Sequence, residues 1–128
     1  HTHPALMPMS DDTATMDDLK AIIAKFCDER DWTQFHNNKD LAIGMVTEAS
    51  ELLEIFRFKD EAQIGELMAG PRREEVIDEL ADSLYFTIRF AQLNGIDLSS
   101  AMERKIGKNS MKYPVEQSKG CNLKYDEY

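Results

Sequence analysis

The alternation of apolar and polar positions along the chain has the period of a helix. With roughly 100° of rotation per residue, Leu19, Ile22, Ile23 and Phe26 fall on one face of a segment from Met16 to Arg30. Thr15 precedes it and Asp18 follows three residues on, a capping-box arrangement. A loop, RDWTQFHNNKD, unusually aromatic for a loop, leads to a second amphipathic helix over about 40 to 57, with Asn38 or Asp40 as its cap. A short amphipathic turn around Ala62 to Met68 runs into the Gly70-Pro71 break. The longest helix is expected from Arg72 to Asn94, stopped by Asn94-Gly95. A last helix, capped by Asp97 or Ser99, ends near Met111 before Tyr113-Pro114. Val, Ile and Thr nowhere alternate long enough for a sheet. The pattern predicts an all-α fold, a bundle of four to five helices over residues 16–113. Residues 1–15 read as a disordered lead or tag remnant, and 114–128 as an irregular tail.

The pattern is interrupted in TEASELLEIF. Leu41, Met45, Ala49, Leu52, Leu53 and Phe56 share one face of the second helix, yet Glu48 projects between Leu41 and Ile55. Burying an unpaired carboxylate costs several kcal/mol, so a cation, a proton or a metal ion must compensate it. In EEVIDELADSLYF the same thing recurs: Glu79 lies between Phe86 and Phe90, with Asp82 beside it. Each helix thus carries an acidic pair at i and i+3, Glu48 with Glu51 and Glu79 with Asp82. Antiparallel packing of the two helices would bring the four together. Four carboxylates at close range cannot all stay ionised without a cation. An all-oxygen ligand set suits Mg²⁺, with Mn²⁺ as second choice, ions that also bind phosphates.

Composition narrows the options. The chain has 128 residues, enough for one domain. Its 24 acidic and 15 basic side chains give a formal net charge of −9, which argues against binding a nucleic acid polymer by phosphate neutralisation. Cys27 and Cys121 form neither a disulfide framework nor a ligand pattern, which favours a reducing, cytoplasmic compartment. No apolar run approaches the roughly 20 residues of a membrane span. The histidines are His1, His3 and His36, too few and misplaced for the Glu-x-x-His motifs of a di-iron bundle. No glycine-rich phosphate loop occurs either. Phosphates, if bound, need metal and side chains, and MERKIGKNSMKYP offers the latter: Lys105, Lys108 and Lys112 share one helical side with Asn109 next to them. A basic segment at a helix C-terminus also suits the macrodipole without any ligand.

The paired EASE and ELAD motifs followed by KIGKNSMKYP resemble the MazG-like all-α nucleoside triphosphate pyrophosphohydrolases. RDWTQFHNNKDLAIGMVTEASELLEIF, KYPVEQSKG and the terminal KYDEY are closest to the dCTP pyrophosphatase branch, and the likeness spans about residues 16 to 128. The resemblance implies cleavage between the α- and β-phosphates of a nucleoside triphosphate, with Mg²⁺ held by Glu48, Glu51, Glu79 and Asp82. It places Lys105, Asn109, Lys112 and Tyr113 on the phosphate side, and Trp32, Phe58 and Phe86 at the base. His36, just before the second helix, reads as structural or pocket-lining rather than catalytic. Phe58 and Phe86 stand where that branch has tryptophan and tyrosine, and Ile23 where it has histidine. Stacking survives these changes, whereas hydrogen bonding to the base edge is altered. Glu51, the acid less embedded in apolar neighbours, is the choice for activating water.

The apolar stripes on 40–57 and 72–94 are wider than a two-helix seam requires, which predicts a homodimer or homotetramer. The sequence leaves two other readings open. One keeps the fold and changes the substrate to dUTP, phosphoribosyl-ATP or a damaged nucleotide. The other is a non-enzymatic helical adaptor whose acidic face binds a basic partner, which accounts for the net charge but not for glutamates intruding on both stripes.

Overall fold

A computed structural model of the chain describes residues 8–120. The described residues form six α-helices, a single 3-10 turn and no strand: α1 (Met16–Glu29), the 3-10 turn Thr33–Phe35, α2 (Asn38–Phe56), α3 (Glu61–Ala69), α4 (Arg73–Leu93), α5 (Leu98–Lys112) and α6 (Val115–Ser118). This is two helices more than the minimum expected, because Ala62–Met68 is a full helix and a short α6 interrupts the tail. Cys121, the KYDEY segment, His1 and His3 lie outside the described residues, as does the lead before residue 8. The chain divides into two compact units, one up to Gly95 and one from Ile96 onward.

Side-chain caps start most helices. In α1 the Asp18 amide donates to Thr15 Oγ1 at 3.1 Å and the Thr15 amide to Asp18 Oδ2 at 2.9 Å, the expected capping box. The cap of α2 is Asn37, not Asn38 or Asp40: the Asp40 amide donates to Asn37 Oδ1 at 2.9 Å, and Asn37 Nδ2 donates back to the Asp40 carboxylate at 2.8 Å. With three polar residues in a row, periodicity alone could not choose among them. Asp60 caps α3 with Gln63 closing the box, and Asp97 caps α5 through the Ser100 amide at 2.8 Å.

At the end of α1 the chain reverses sharply. Asp31 takes a positive φ of 54°, its amide donates to the Asp28 carbonyl, and the Trp32 amide donates to the Cys27 carbonyl. This is a Schellman turn with aspartate in the left-handed position usually given to glycine. Its accompanying apolar contact is Trp32 on Phe26, edge to face with ring centroids 5.4 Å apart. The turn therefore aims the loop tryptophan back along α1.

Within the first unit α4 is the central element, packed mainly on α2 and also on α1 and α3. α2 and α4 run antiparallel: Asn38 and Asn94 exchange side-chain hydrogen bonds at 2.7 and 3.2 Å at one end, and Ile55 and Val76 share an apolar cluster with Leu67 at the other. Leu41, Ile88, Ala91 and Cys27 are fully buried. Two residues of the expected α2 core stripe are outside it, with Leu53 63 % exposed and Ala49 also exposed. Midway along, Gly44 lets the helices approach closely; a Cβ there would lie 2.5 Å from the Phe86 ring.

Candidate active site

The antiparallel register brings the acidic pairs together. Ligand oxygens of Glu48, Glu51 and Glu79 lie within 4.8 Å of one another. Glu48 and Glu79 are partly buried and Glu51 is exposed. Asp82 is not in that tight group, but it lines the same cavity as Glu48, and its charge acts on both Glu48 and Glu79.

The electrostatics are those of a site short of positive charge. As carboxylates, Glu48 and Glu79 each leave Oε2 buried with no donor. As one acid and one carboxylate they can bond each other, so a shared proton relieves the conflict. Glu48 is accordingly pushed up to about 7, first by burial, then by hydrogen bonding with Glu79 and Glu51 and by the charges of Glu51 and Asp82. For Glu79, the hydrogen bond with Glu48 pulls downward, but burial and the Glu51 and Asp82 contributions outweigh it, leaving a net rise. The donor set is all oxygen, two of its oxygens are buried without a partner, and the spacing of the ligand oxygens can be bridged by a hard divalent cation with small side-chain adjustment. The residues present fit such an ion.

Beside the carboxylates opens a cavity of about 610 Å³, lined by Ile22, Ile23, Phe26, Trp32, His36, Glu48, Asp82, Tyr85 and Phe86. Tyr85 stands edge-on to both Phe26 and Phe86, with centroids 6.2 and 5.1 Å away. Its hydroxyl is engaged with the Cys27 thiol at 3.1 Å, and burial holds the phenol protonated. The wall is thus an interlocked aromatic set with acids at one side, the construction of a pocket for a flat apolar-faced group carrying charge at its end.

Of the residues singled out in the sequence, Trp32, His36 and Phe86 line this cavity with Glu48 and Asp82. Phe58 does not. It is 89 % exposed just beyond α2, at a positive φ of 63°, with the Arg57 guanidinium 4.7 Å over its ring. Lys105, Asn109 and Lys112 lie along α5, and Tyr113 is its C-cap, with its amide donating to the Asn109 carbonyl. These four belong to the second unit. Phe26 and Tyr85 are site residues that sequence reasoning missed, because nothing in their spacing sets them apart from ordinary stripe residues. Gly44 gave no signal either, although its role is to seat Phe86. Gly44→Ala forces that ring away; we expect a loss of about 1–3 kcal/mol of stability in denaturant titration and weaker ligand binding.

A carboxylate cluster that suits a hard divalent cation, set beside an aromatic pocket, is a combination fitted to a ligand with a flat ring and a charged end. Comparison with known proteins makes this more specific: residues 43–128 match the MazG-like family, and the chain belongs to it. It is 34 % identical over 114 residues to dCTP pyrophosphatase 1 of Rattus norvegicus, covering 88 % of this chain and 67 % of that protein. Identity to dCTP pyrophosphatase 1 of Homo sapiens is 32 % over the same length, with the same coverage. The crystal structure of a pyrophosphatase from Archaeoglobus fulgidus superposes with a TM-score of 0.73 at 32 % identity, covering 86 % of this chain and 99 % of that one. The protein is a nucleotide pyrophosphatase, which removes the adaptor reading. No helix among the described residues is long and apolar enough to cross a membrane.

Proposed function

We propose that the protein is a Mg²⁺-dependent nucleoside triphosphate pyrophosphohydrolase acting on dCTP or a 5-modified dCTP and releasing the monophosphate and pyrophosphate. The observation that carries the reading is the pair of buried, donorless oxygens of Glu48 and Glu79, with Glu48 also lining an aromatic cavity. Glu48, Glu51, Glu79 and Asp82 hold the cation. A divalent ion bound there would offset triphosphate charge and lower the pKa of a water. Glu51, the exposed member of the group, orients a water toward the α-phosphorus and accepts its proton as the water oxygen bonds to phosphorus, while the bond to the bridging oxygen breaks and pyrophosphate leaves. Trp32 and Phe86 stack on the base, with His36 at its edge. Lys105, Asn109, Lys112 and Tyr113 of α5 are the phosphate-side groups, supplying two cations that an otherwise acidic protein needs for a triphosphate.

The protein works as a homo-oligomer in this reading. On α2, Ile43, Val46 and Leu53 are more than half exposed, and on α4 so is Leu80, with Ile77 and Leu84 close behind. Two adjacent helices with such faces leave more apolar surface in water than a monomer keeps. Sedimentation should give a dimer or tetramer that Val46→Asp shifts to smaller species. Phe58 then finds a use as an aromatic offered to a second copy's cavity, which accounts for a bulky residue held in a conformation costing about 1–2 kcal/mol. We expect Phe58→Gly to raise KM for the nucleotide, because the aromatic offered to the second copy's cavity is lost.

The deciding experiment is a panel of canonical and 5-modified nucleoside triphosphates with Mg²⁺, including dUTP, with products separated. Monophosphate plus pyrophosphate from a cytosine nucleotide supports the reading in full. The same products from another base keep the reaction and reassign the pocket. Diphosphate plus phosphate overturns the proposed bond.

A further inference from the structure

Arg89 is the one buried charged residue among those described, 2 % exposed near the C-terminal end of α4. No acid among the described residues is ion-paired with it. Its guanidinium donates instead to three neutral acceptors: Nε to His36 Nδ1 at 3.1 Å, Nη1 to Gln92 Oε1 at 2.7 Å and Nη2 to Thr33 Oγ1 at 2.9 Å. Two of these partners extend the network to α1, Thr33 by donating to Asp28 Oδ1 at 3.2 Å and Gln92 by donating to the Lys20 carbonyl at 2.9 Å. A buried cation without a direct counter-ion costs several kcal/mol, and apolar residues would pack α4 at less expense. The arrangement therefore calls for a reason beyond packing.

The reason lies in what arginine cannot do. It is always protonated and has donors only, so the His36 nitrogen it meets must be an unprotonated acceptor. The imidazole is then neutral with its proton on Nε2, the other edge of the ring. Burial, and next the Arg89 charge, hold His36 below its ordinary pKa. Glu48 and Asp82, which line the same cavity, would stabilise an imidazolium, and the net shift shows that they do not prevail. Asp28 reaches the network only through the Thr33 hydroxyl.

We propose that Arg89 is a positioning residue that locks His36 as a neutral Nε2–H donor in the cavity, presenting a fixed hydrogen bond to an acceptor on the nucleotide base, a carbonyl oxygen or an unprotonated ring nitrogen. The inference rests on the nucleotide reading and adds the chemistry of the base edge. Apart from the acids, the polar groups on the cavity wall are His36, the Trp32 indole and the Tyr85 hydroxyl, and that hydroxyl is engaged with Cys27. The remaining neutral nitrogens are both donors, so the wall selects bases by their acceptors. The signal is visible in FTIRFAQ, where a charge interrupts an apolar run as Glu48 does.

The test is a double-mutant cycle with Arg89→Met and His36→Phe, read as KM and kcat on the best nucleotide of the panel, together with imidazole ¹⁵N spectra of the wild-type protein at pH 7. Arg89→Met alone should raise KM roughly 3- to 10-fold with little change in kcat, and should add almost nothing in the His36→Phe background. An equal penalty in both backgrounds makes Arg89 purely structural and overturns the proposal. Should Arg89→Met fail to fold, the spectra decide: a His36 signal with Nε2 protonated and Nδ1 bare supports the lock, and an Nδ1–H form or an imidazolium overturns it. The expected tautomer in a protein that turns over no nucleoside triphosphate would overturn the functional reading and leave the Arg89–His36 lock standing.

Discussion

Glu79→Gln should lower Mg²⁺-dependent turnover by at least about 100-fold and at the same time leave the cation-free protein as stable as before, or more so. The two effects have one cause. Glu79 Oε2 is buried without a donor beside Glu48 and Glu51, so its charge is unfavourable until a cation arrives. Glutamine removes that charge and supplies an N–H for the Glu48 carboxylate, which relieves the cation-free state. It also removes a ligand, so the Mg²⁺-induced rise in Tm of the wild-type protein should largely vanish. Thermal melts with and without Mg²⁺, alongside single-turnover kinetics, check both halves. A variant that loses stability as well as activity would mean that Glu79 is a structural acid.

The second large effect concerns pH. Glu48 is pushed up to about 7 in the folded protein, whereas in the unfolded chain it titrates near 4.5. Between those values the folded state holds the extra proton. The contribution of this group to stability is therefore present in acid and is lost as pH rises through about 7, the reverse of a salt-bridged carboxylate. Compared with Glu48→Gln, the cation-free wild-type protein should lose Tm as pH climbs from 5 toward 8, and saturating Mg²⁺ should cancel that slope. Binding of the ion must displace the shared proton, so apparent Mg²⁺ affinity should fall about tenfold per pH unit below 7 and level off above it. Calorimetry in two buffers of different ionisation enthalpy would count the proton. No release at pH 6.5 would mean that the four carboxyls do not share one.

Much of this architecture was legible because local chemistry and periodicity agree. Thr15 with Asp18, Asp97, and the Asn94-Gly95 stop each mark a helix boundary by a hydrogen bond or a φ value that few residues can supply. The acidic pairs were legible for the opposite reason, since Glu48 and Glu79 violate the pattern around them. The failures share a different origin. Asn37 is one of several polar residues able to cap α2, and only the backbone geometry selects it. The Schellman turn at Asp31 lacks the glycine that announces such turns, so the placement of Trp32 against Phe26 had no local signature. Helical phase puts Leu53 in a core, but it cannot say which apolar face the chain itself covers. Arg89 and Gly44 act across helices, on His36 and Phe86, and such partners appear only once the α2–α4 register is fixed.

The amides that tie the start of α2 to the end of α4 also give the molecule a way to age. Asn94 is exposed and is followed by Gly95, whose lack of a side chain removes the steric barrier to attack by its backbone nitrogen on the neighbouring amide carbon once that nitrogen leaves the long 3.4 Å bond to the Gln92 carbonyl. Asn94 Nδ2 is the donor to Asn38 Oδ1 and to the Phe90 carbonyl. Deamidation would replace it with an oxygen, setting a negative charge against two acceptors at once and, on the isoaspartyl route, lengthening the chain at the helix end. Chemical wear at this dipeptide would loosen the register from the end farthest from the Ile55–Val76 cluster, long before heat does.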